Sequence, residues 1–266
     1  MIMKIGFIGC GNMAKAMIGG IIKGNVASPE NVFVNSKTRE SVERFVKEFK
    51  VTPCADNREV VKNSDVVVFA VKPQMYEVVI RETADCFDDK KIAVSIAPGK
   101  SLEWMGKLFP TGTKIVRANP NTPAMVGEGI TAYCANSATL EQDMDVVRSI
   151  LNSFGDSVEM GEHQMAGFIS ICGSSPAYVY MMIDAMADGG VLGGIPKATA
   201  IKLAAQAVLG SAKMVLETGE HPDLLKDQVC SPAGTTIEAV RTLEGMGFRS
   251  AIIEAEKACA DKASSM

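Results

Sequence analysis

The sequence predicts an α/β doubly wound sheet over residues 1–160, followed by an all-helical region over 161–266. Three observations predict it. The apolar run Lys4-Ile-Gly-Phe-Ile ends in the closely spaced glycines Gly9-Cys-Gly11-Asn12-Met13-Ala14 and passes into a helix-like pattern. Strand-like and helix-like segments then alternate as far as residue 160. From about residue 161 the β-branched runs give way to alanine-rich helical periods.

Met13, Met17, Ile18, Ile21 and Ile22 fall at helical spacing over 12–23, and Gly24 is placed to end that helix. Val32-Phe-Val34 reads as a second strand, 38–49 as an amphipathic helix, the surroundings of Val51 as a short strand and 56–63 as a helix. The nearly unbroken run Asp65–Val71 needs cover on both faces, which puts it at the centre of a parallel sheet. A helix near 75–86, a strand at Ile92–Ala97 and a short helix at 101–107 with Trp104 as a packing residue come next. Strands at 114–118 and 130–134, a helix over 139–154 and a closing strand at 157–160 complete the alternation. The loop Asn119-Pro120-Asn121-Thr122-Pro123-Ala124 offers polar groups to a ligand.

The formal net charge of -4, with Lys and Arg scattered singly, argues against a nucleic-acid partner. No leader is apparent before the first strand and no apolar segment is expected to reach transmembrane length, so no membrane partner is expected. Seven dispersed cysteines predict reduced thiols and a cytoplasmic protein. With His163 and His221 the only histidines, no metal centre is expected.

The glycine turn carries the first functional reading. Gly9 permits the tight turn, Gly11 lets backbone approach a pyrophosphate, and the amides from Asn12 and Met13 onward donate to it. About 20 residues beyond the turn, an NAD-binding domain presents a carboxylate to the adenosine ribose. Here the second strand ends instead in Asn35-Ser36-Lys37-Thr38-Arg39, donors and cations suited to a 2′-phosphate. The predicted cofactor is therefore NADPH, with NADH a poorer substitute. Asn35, Ser36, Lys37 and Arg39 are assigned to the cofactor. So are Asn57 and the loop Ala70-Val71-Lys72-Pro73, which follows the central strand where such folds bind ligands.

In the second region, Gly173-Ser174-Ser175-Pro176-Ala177 reads as a turn into a helix, with Ser175 as cap and Pro176 in the first turn. Pro196 introduces another helix, with Ile201, Ala204, Ala205, Val208, Leu209, Ala212 and Val215 on one face. So much apolar surface in about 105 residues is hard to bury alone, which predicts interleaving with a second copy. Farther on, Ser231-Pro232-Ala233-Gly234-Thr235-Thr236 leads into an apolar period, Thr235 and Glu238 forming a candidate capping box. Amides at Gly234, Thr235 and Thr236 can hold a carboxylate without an arginine.

These segments together resemble the pyrroline-5-carboxylate reductase family of proline biosynthesis. The resemblance is carried by Gly9-Cys-Gly11-Asn12-Met13-Ala14, Ala70-Val-Lys72-Pro73, Asn121-Thr122-Pro123, Gly173-Ser174-Ser175-Pro176-Ala177-Tyr178 and Val229-Cys-Ser231-Pro232-Ala-Gly234-Thr-Thr236. It departs at Ser175, where many relatives have glycine, and at Ala233-Gly234, which replaces a common Gly-Gly pair. The resemblance implies a Rossmann-type domain and a helical substrate-binding and dimerisation domain. It implies an active site between them and the partner's helices, in a homodimer that in many relatives assembles into a decamer of five dimers. It implies NADPH-dependent reduction of the cyclic imine carboxylate to L-proline. Thr236 would lie beside the substrate nitrogen as the catalytic residue, and Ser231, Gly234 and Thr235 would support the carboxylate.

Two other readings stay open on sequence. Another NADP-dependent imine or small-substrate reductase would keep the front domain. A β-hydroxyacid enzyme would place a lysine on the first helix of the second domain, and residues 175–192 contain none. A non-enzymatic NADP-binding sensor would bind nucleotide without turnover.

Overall fold

The computed structural model describes residues 3–265. One sheet of eight strands runs β3-β2-β1-β4-β5-β6-β7-β8, built from Ile5–Ile8 (β1), Val32–Asn35 (β2), Thr52–Pro53 (β3), Val66–Phe69 (β4), Ile92–Ser95 (β5), Lys114–Pro120 (β6), Gly129–Ala135 (β7) and Gly155–Glu159 (β8). The central position expected for the Asp65–Val71 run is occupied by β4, between β1 and β5. All pairs are parallel except β6–β7, so the last two strands run opposite to the rest.

Side chains alternate across the sheet and build a core on each face. On one face Ile5, Phe7, Val66 and Val68 pack with Met17 and Ile21 of α1 (Asn12–Lys23), Phe45 of α2 (Arg39–Phe49) and Val147 and Leu151 of α6 (Glu141–Leu151). On the other, Ile8, Val67 and Phe69 meet Val60 of α3 (Asn57–Lys62), Ile80 of α4 (Tyr76–Thr83) and Met105 of α5 (Leu102–Gly106). Both faces are covered, as a doubly wound sheet requires. Trp104 packs against the second core, with the Lys100 ammonium 4.5 Å from its ring centroid.

The chain divides into two compact units. One comprises residues up to Gly173 with a terminal piece from Ala260, and the other is Ser174–Cys259. A short helix, α7 (Met165–Phe168), passes through a π-helical stretch at Ile169–Ser174 into α8 (Ser175–Leu192). The turn expected at Gly173–Ala177 is therefore absent, and Ser175 does not cap: the wider π turn absorbs Gly173 and Ser174 without breaking the helix. Beyond it lie α9 (Lys197–Thr218), α10 (Pro222–Val229), α11 (Thr235–Gly245) and α12 (Phe248–Ser264).

The expectation that no apolar segment reaches transmembrane length is also corrected. The helical stretches Glu162–Leu192 and Lys197–Thr218, with mean hydropathies of 1.3 and 1.2, are long and apolar enough by length and composition. Glycines and a proline punctuate the first in sequence, and the helix continues through them. Large apolar side chains stand exposed along both, Leu192 at 91% and Leu216 at 84%.

Candidate active site

A groove opens at the C-terminal ends of β1, β2, β4 and β5. Its lining includes Gly9, Gly11, Asn12, Met13, Asn35, Ser36, Lys37, Asn57, Ala70, Val71, Lys72 and Pro73. Every residue assigned to the cofactor from sequence is there except Arg39. Arg39 lines an adjoining hollow with Asn35, Ser36 and Lys37, and its side chain pairs with Glu43 at 2.9 Å. That side chain remains 92% exposed: as the first residue of α2 it points along its own helix.

The two glycines of the turn sit in different surroundings. Gly9 has φ +109°, and a Cβ there would stand 2.5 Å from the Ala70 carbonyl oxygen. Its amide donates to the Asn35 carbonyl at 2.8 Å, so the turn is wedged between the ends of β2 and β4. Gly11 has φ −87° and a Cβ would meet nothing within 4 Å. Neither backbone nor neighbours demand glycine at 11. A pyrophosphate fits such a cradle, because α1 has no side-chain cap and no acid in its first turn, and its leading amides stay open to an anion.

The end of the groove beyond β2 carries a chain of amides. Asn35 Nδ2 donates to Asn57 Oδ1 at 2.8 Å, and Asn57 Nδ2 donates to Glu82 Oε2 at 3.0 Å. Behind the turn, an Arg44 guanidinium N–H donates to the Cys10 carbonyl at 3.2 Å. Burial pushes the Cys10 thiol up to about 11, so it remains a protonated thiol at neutral pH.

The two asparagines at the end of β6 and just after it are held inside the fold. Asn119 and Asn121 are buried, and Asn119 Nδ2 donates to the Met165 sulfur at 3.3 Å. Asn121 donates to the Cys172 carbonyl at 3.0 Å and accepts from the Ile130 amide at 2.9 Å. These amides brace the chain as it turns from β6 into β7. Neither lines the groove.

In the second unit, Ser231–Gly234 forms a turn that starts α11. Ala233 takes φ +57° and Gly234 is the extended N-cap, its amide donating to the Ser231 carbonyl at 3.0 Å. Thr235 is thus the first residue of the helix, and the capping box expected from Thr235 and Glu238 does not form. The left-handed turn at Ala233 starts the helix one residue earlier than a Thr235 cap would, and Glu238 instead accepts from Arg241 at 3.1 Å. A Cβ at Gly234 would stand 2.3 Å from Ser231 Oγ and 3.1 Å from the Ser231 carbonyl oxygen, so a larger residue there has to turn the serine hydroxyl aside. Ser231 and Thr235 are exposed and Thr236 is half-buried, around the open amides of an 11-residue helix.

Comparison with known proteins agrees with both parts. Residues 162–266 match the family profile for pyrroline-5-carboxylate reductase dimerisation, and 4–99 match that for NADP oxidoreductase, coenzyme F420-dependent. The pyrroline-5-carboxylate reductase of Escherichia coli (strain K12) is 46% identical, over 97% of this chain and 96% of its own. The chain belongs to the pyrroline-5-carboxylate reductase family. The Arabidopsis thaliana reductase is 37% identical over 97% of this chain and 94% of its own. Among solved structures, the pyrroline-5-carboxylate reductase of Coxiella burnetii superposes with a TM-score of 0.93 at 32% identity, covering 100% of this chain and 98% of that one. The Plasmodium falciparum pyrroline carboxylate reductase with NADP bound does so with 0.89 at 31%, covering 99% and 97%.

Sequence reasoning missed part of this reductase's groove. Met75, Val78, Val79 and Glu82 of the α4 region, with Ile96, Ala97 and Pro98 after β5, form its remaining wall. The rule that ligands bind beyond the carboxyl ends of strands could have found 96–98, because they follow an apolar strand beside β4. Nothing local marks Glu82, which meets Asn57 only through the packing of α4 beside α3.

Proposed function

We propose that this chain is an NADPH-dependent reductase of 1-pyrroline-5-carboxylate, forming L-proline in the final step of proline biosynthesis. The observation that carries the proposal is near-complete coverage, at 46% identity, by a protein named for that activity. The groove independently fits the cofactor: space is left at Gly11 for a pyrophosphate, and β2 ends in Asn35, Ser36 and Lys37 rather than a carboxylate.

Bound NADPH supplies the hydride. The protonated imine C=N accepts it at carbon, its electron pair settles on nitrogen, and a secondary amine results. No nucleophile or metal is required for that step. The chain's task is to bind and orient. The open amides of α1 hold the pyrophosphate, while Ser36 and Lys37 meet the 2′-phosphate. Gly234, Thr235 and the α11 amides receive the substrate carboxylate, aided by Ser231. Thr236 presents its hydroxyl to the imine nitrogen, and a neutral hydroxyl suits that hydrogen-bonding role better than an alkoxide would.

The same reading treats 1–160 as the NADP-binding domain and 161–266 as the substrate-binding and dimerisation domain. The exposed apolar residues of α8 and α9 support a homodimer with interleaved helices, in which protein rather than lipid covers them; a decamer of five such dimers is the larger assembly of the proposal. The dispersed cysteines, reduced thiols in this reading, support a cytoplasmic location. The test is NADPH oxidation with pyrroline-5-carboxylate, compared with pyrroline-2-carboxylate and a β-keto acid. Equal or faster turnover of either alternative would refute the assignment.

A further inference from the structure

Tyr76 is the bulkiest of the wholly buried side chains, yet its hydroxyl lies at the rim of the sheet where the groove begins. Strands β4 and β5 are paired in parallel from Val66↔Ile92 to Phe69↔Ser95. Beyond that pair the chains part to form the two loops lining the groove, Ala70–Pro73 and Ile96–Pro98. At such a fork the last carbonyl of one strand and the next amide of the other lose their ladder partners. Buried groups of that kind need substitutes.

Tyr76 provides both. Its O–H donates to the Phe69 carbonyl, and its oxygen accepts from the Ile96 amide at 3.2 Å. The ring is held against Phe69, with centroids 6.2 Å apart, and the residue opens α4 directly after the Pro73–Met75 turn. One side chain thus joins the exit of the first loop to its entry and to the start of the second. We infer that Tyr76 is a positioning residue for the reduction, setting the separation of the two loops and hence the fit of the dinucleotide between them. Burial pushes the phenol up to about 12, so it stays a donor across the working pH range. Phenylalanine would fill the same space while leaving both backbone groups unpaired.

The inference rests on the groove being the NADPH site, and the experiment separates the two. Tyr76→Phe raises KM and Kd for NADPH about tenfold, the loss of one to two buried hydrogen bonds passed on to the loops. In the same variant kcat at saturating NADPH and KM for pyrroline-5-carboxylate change less than twofold. A lowered Tm with NADPH KM unchanged would show mere bracing and overturn the inference. Gly11→Val serves as the reference. If it weakens NADPH binding and Tyr76→Phe does not, the groove stands and the role of Tyr76 falls; if neither does, the groove assignment itself is wrong. Amide hydrogen exchange on the unsubstituted protein needs no variant to fold: Ile96 exchanges slowly before NADPH is added, and fast exchange there refutes the clamp.

Discussion

Gly11→Val is the sharpest test of how the turn works, because it separates folding from binding. Position 11 has φ −87° and ψ −176°, an extended geometry open to a β-branched residue. With no heavy atom within 4 Å of the new Cβ, the native state gains no clash at that atom, and the methyls beyond it enter open space. Stability should stay within about 1 kcal/mol of the parent, the cost of valine at the N-cap of α1 being partly offset by the freedom the unfolded chain loses. The cofactor fares differently. Valine methyls occupy the space a pyrophosphate needs and part it from the open amides of α1. Hydrogen bonds to charged groups are worth about 1.5–3 kcal/mol each, so losing two costs at least about 3 kcal/mol. That is more than about a hundredfold in Kd. Fluorescence titration with NADPH and a thermal melt on the same sample read both quantities. Binding within threefold of the parent would refute the cradle; a fall in Tm of several degrees would refute the claim that the space is empty. Gly9 behaves in the opposite sense, since its φ and the nearby Ala70 carbonyl make any Cβ a folding defect.

Reversing the charge at the end of β2 with Lys37→Glu should move the NADPH-over-NADH ratio of kcat/KM toward NADH by about ten- to a hundredfold, the worth of one charge-assisted contact; an unchanged ratio in steady-state kinetics excludes Lys37 from the 2′-phosphate site. Thr236→Ala should lower turnover by about ten- to a hundredfold with NADPH Kd unaltered, and unaltered turnover and substrate KM would remove Thr236 from the mechanism. Light scattering after size exclusion should give a mass above that of one chain; a stable monomer would refute the docking role of the exposed α8 and α9 residues.

Much of the first unit was legible because its signals are local. The apolar run of β4 can satisfy its side chains only between two covered faces, and the glycine turn names its own geometry. The antiparallel course of β7 was missed, although the sequence contains its reason. Residues 121–128 between β6 and β7 are too few for the crossover that a parallel strand needs. The π turn was missed because Gly173, Ser174 and Pro176 look like a break, and only the packed helix shows that it is bridged. On the site, the glycines and the β2 terminus declared themselves through residue type. Tyr76 and Glu82 did not: each sits on an ordinary amphipathic helix and gains its role from a strand end or a neighbouring helix. At α11, Ser231 and Thr236 stood out by composition, but the register of the helix start depended on the left-handed turn at Ala233.

The helix behind the glycine turn has a further consequence for how the protein comes into being. On α1, Gly20 lies so close to the chain near residue 154 that a Cβ would stand 2.6 Å from the Ser153 carbonyl oxygen and 2.7 Å from Phe154 Cβ. Ile18 and Ile21 share their core with Ile150, Leu151 and Phe154. Helix α1 therefore waits for a segment made more than a hundred residues later before its back is covered. Contacts of such sequence separation form late, after their loop-closure entropy has been met. A nascent chain ending near residue 100 would carry every residue of the groove wall and still lack the backing that holds α1 in place, so nucleotide capture belongs to the end of synthesis of this unit rather than its beginning.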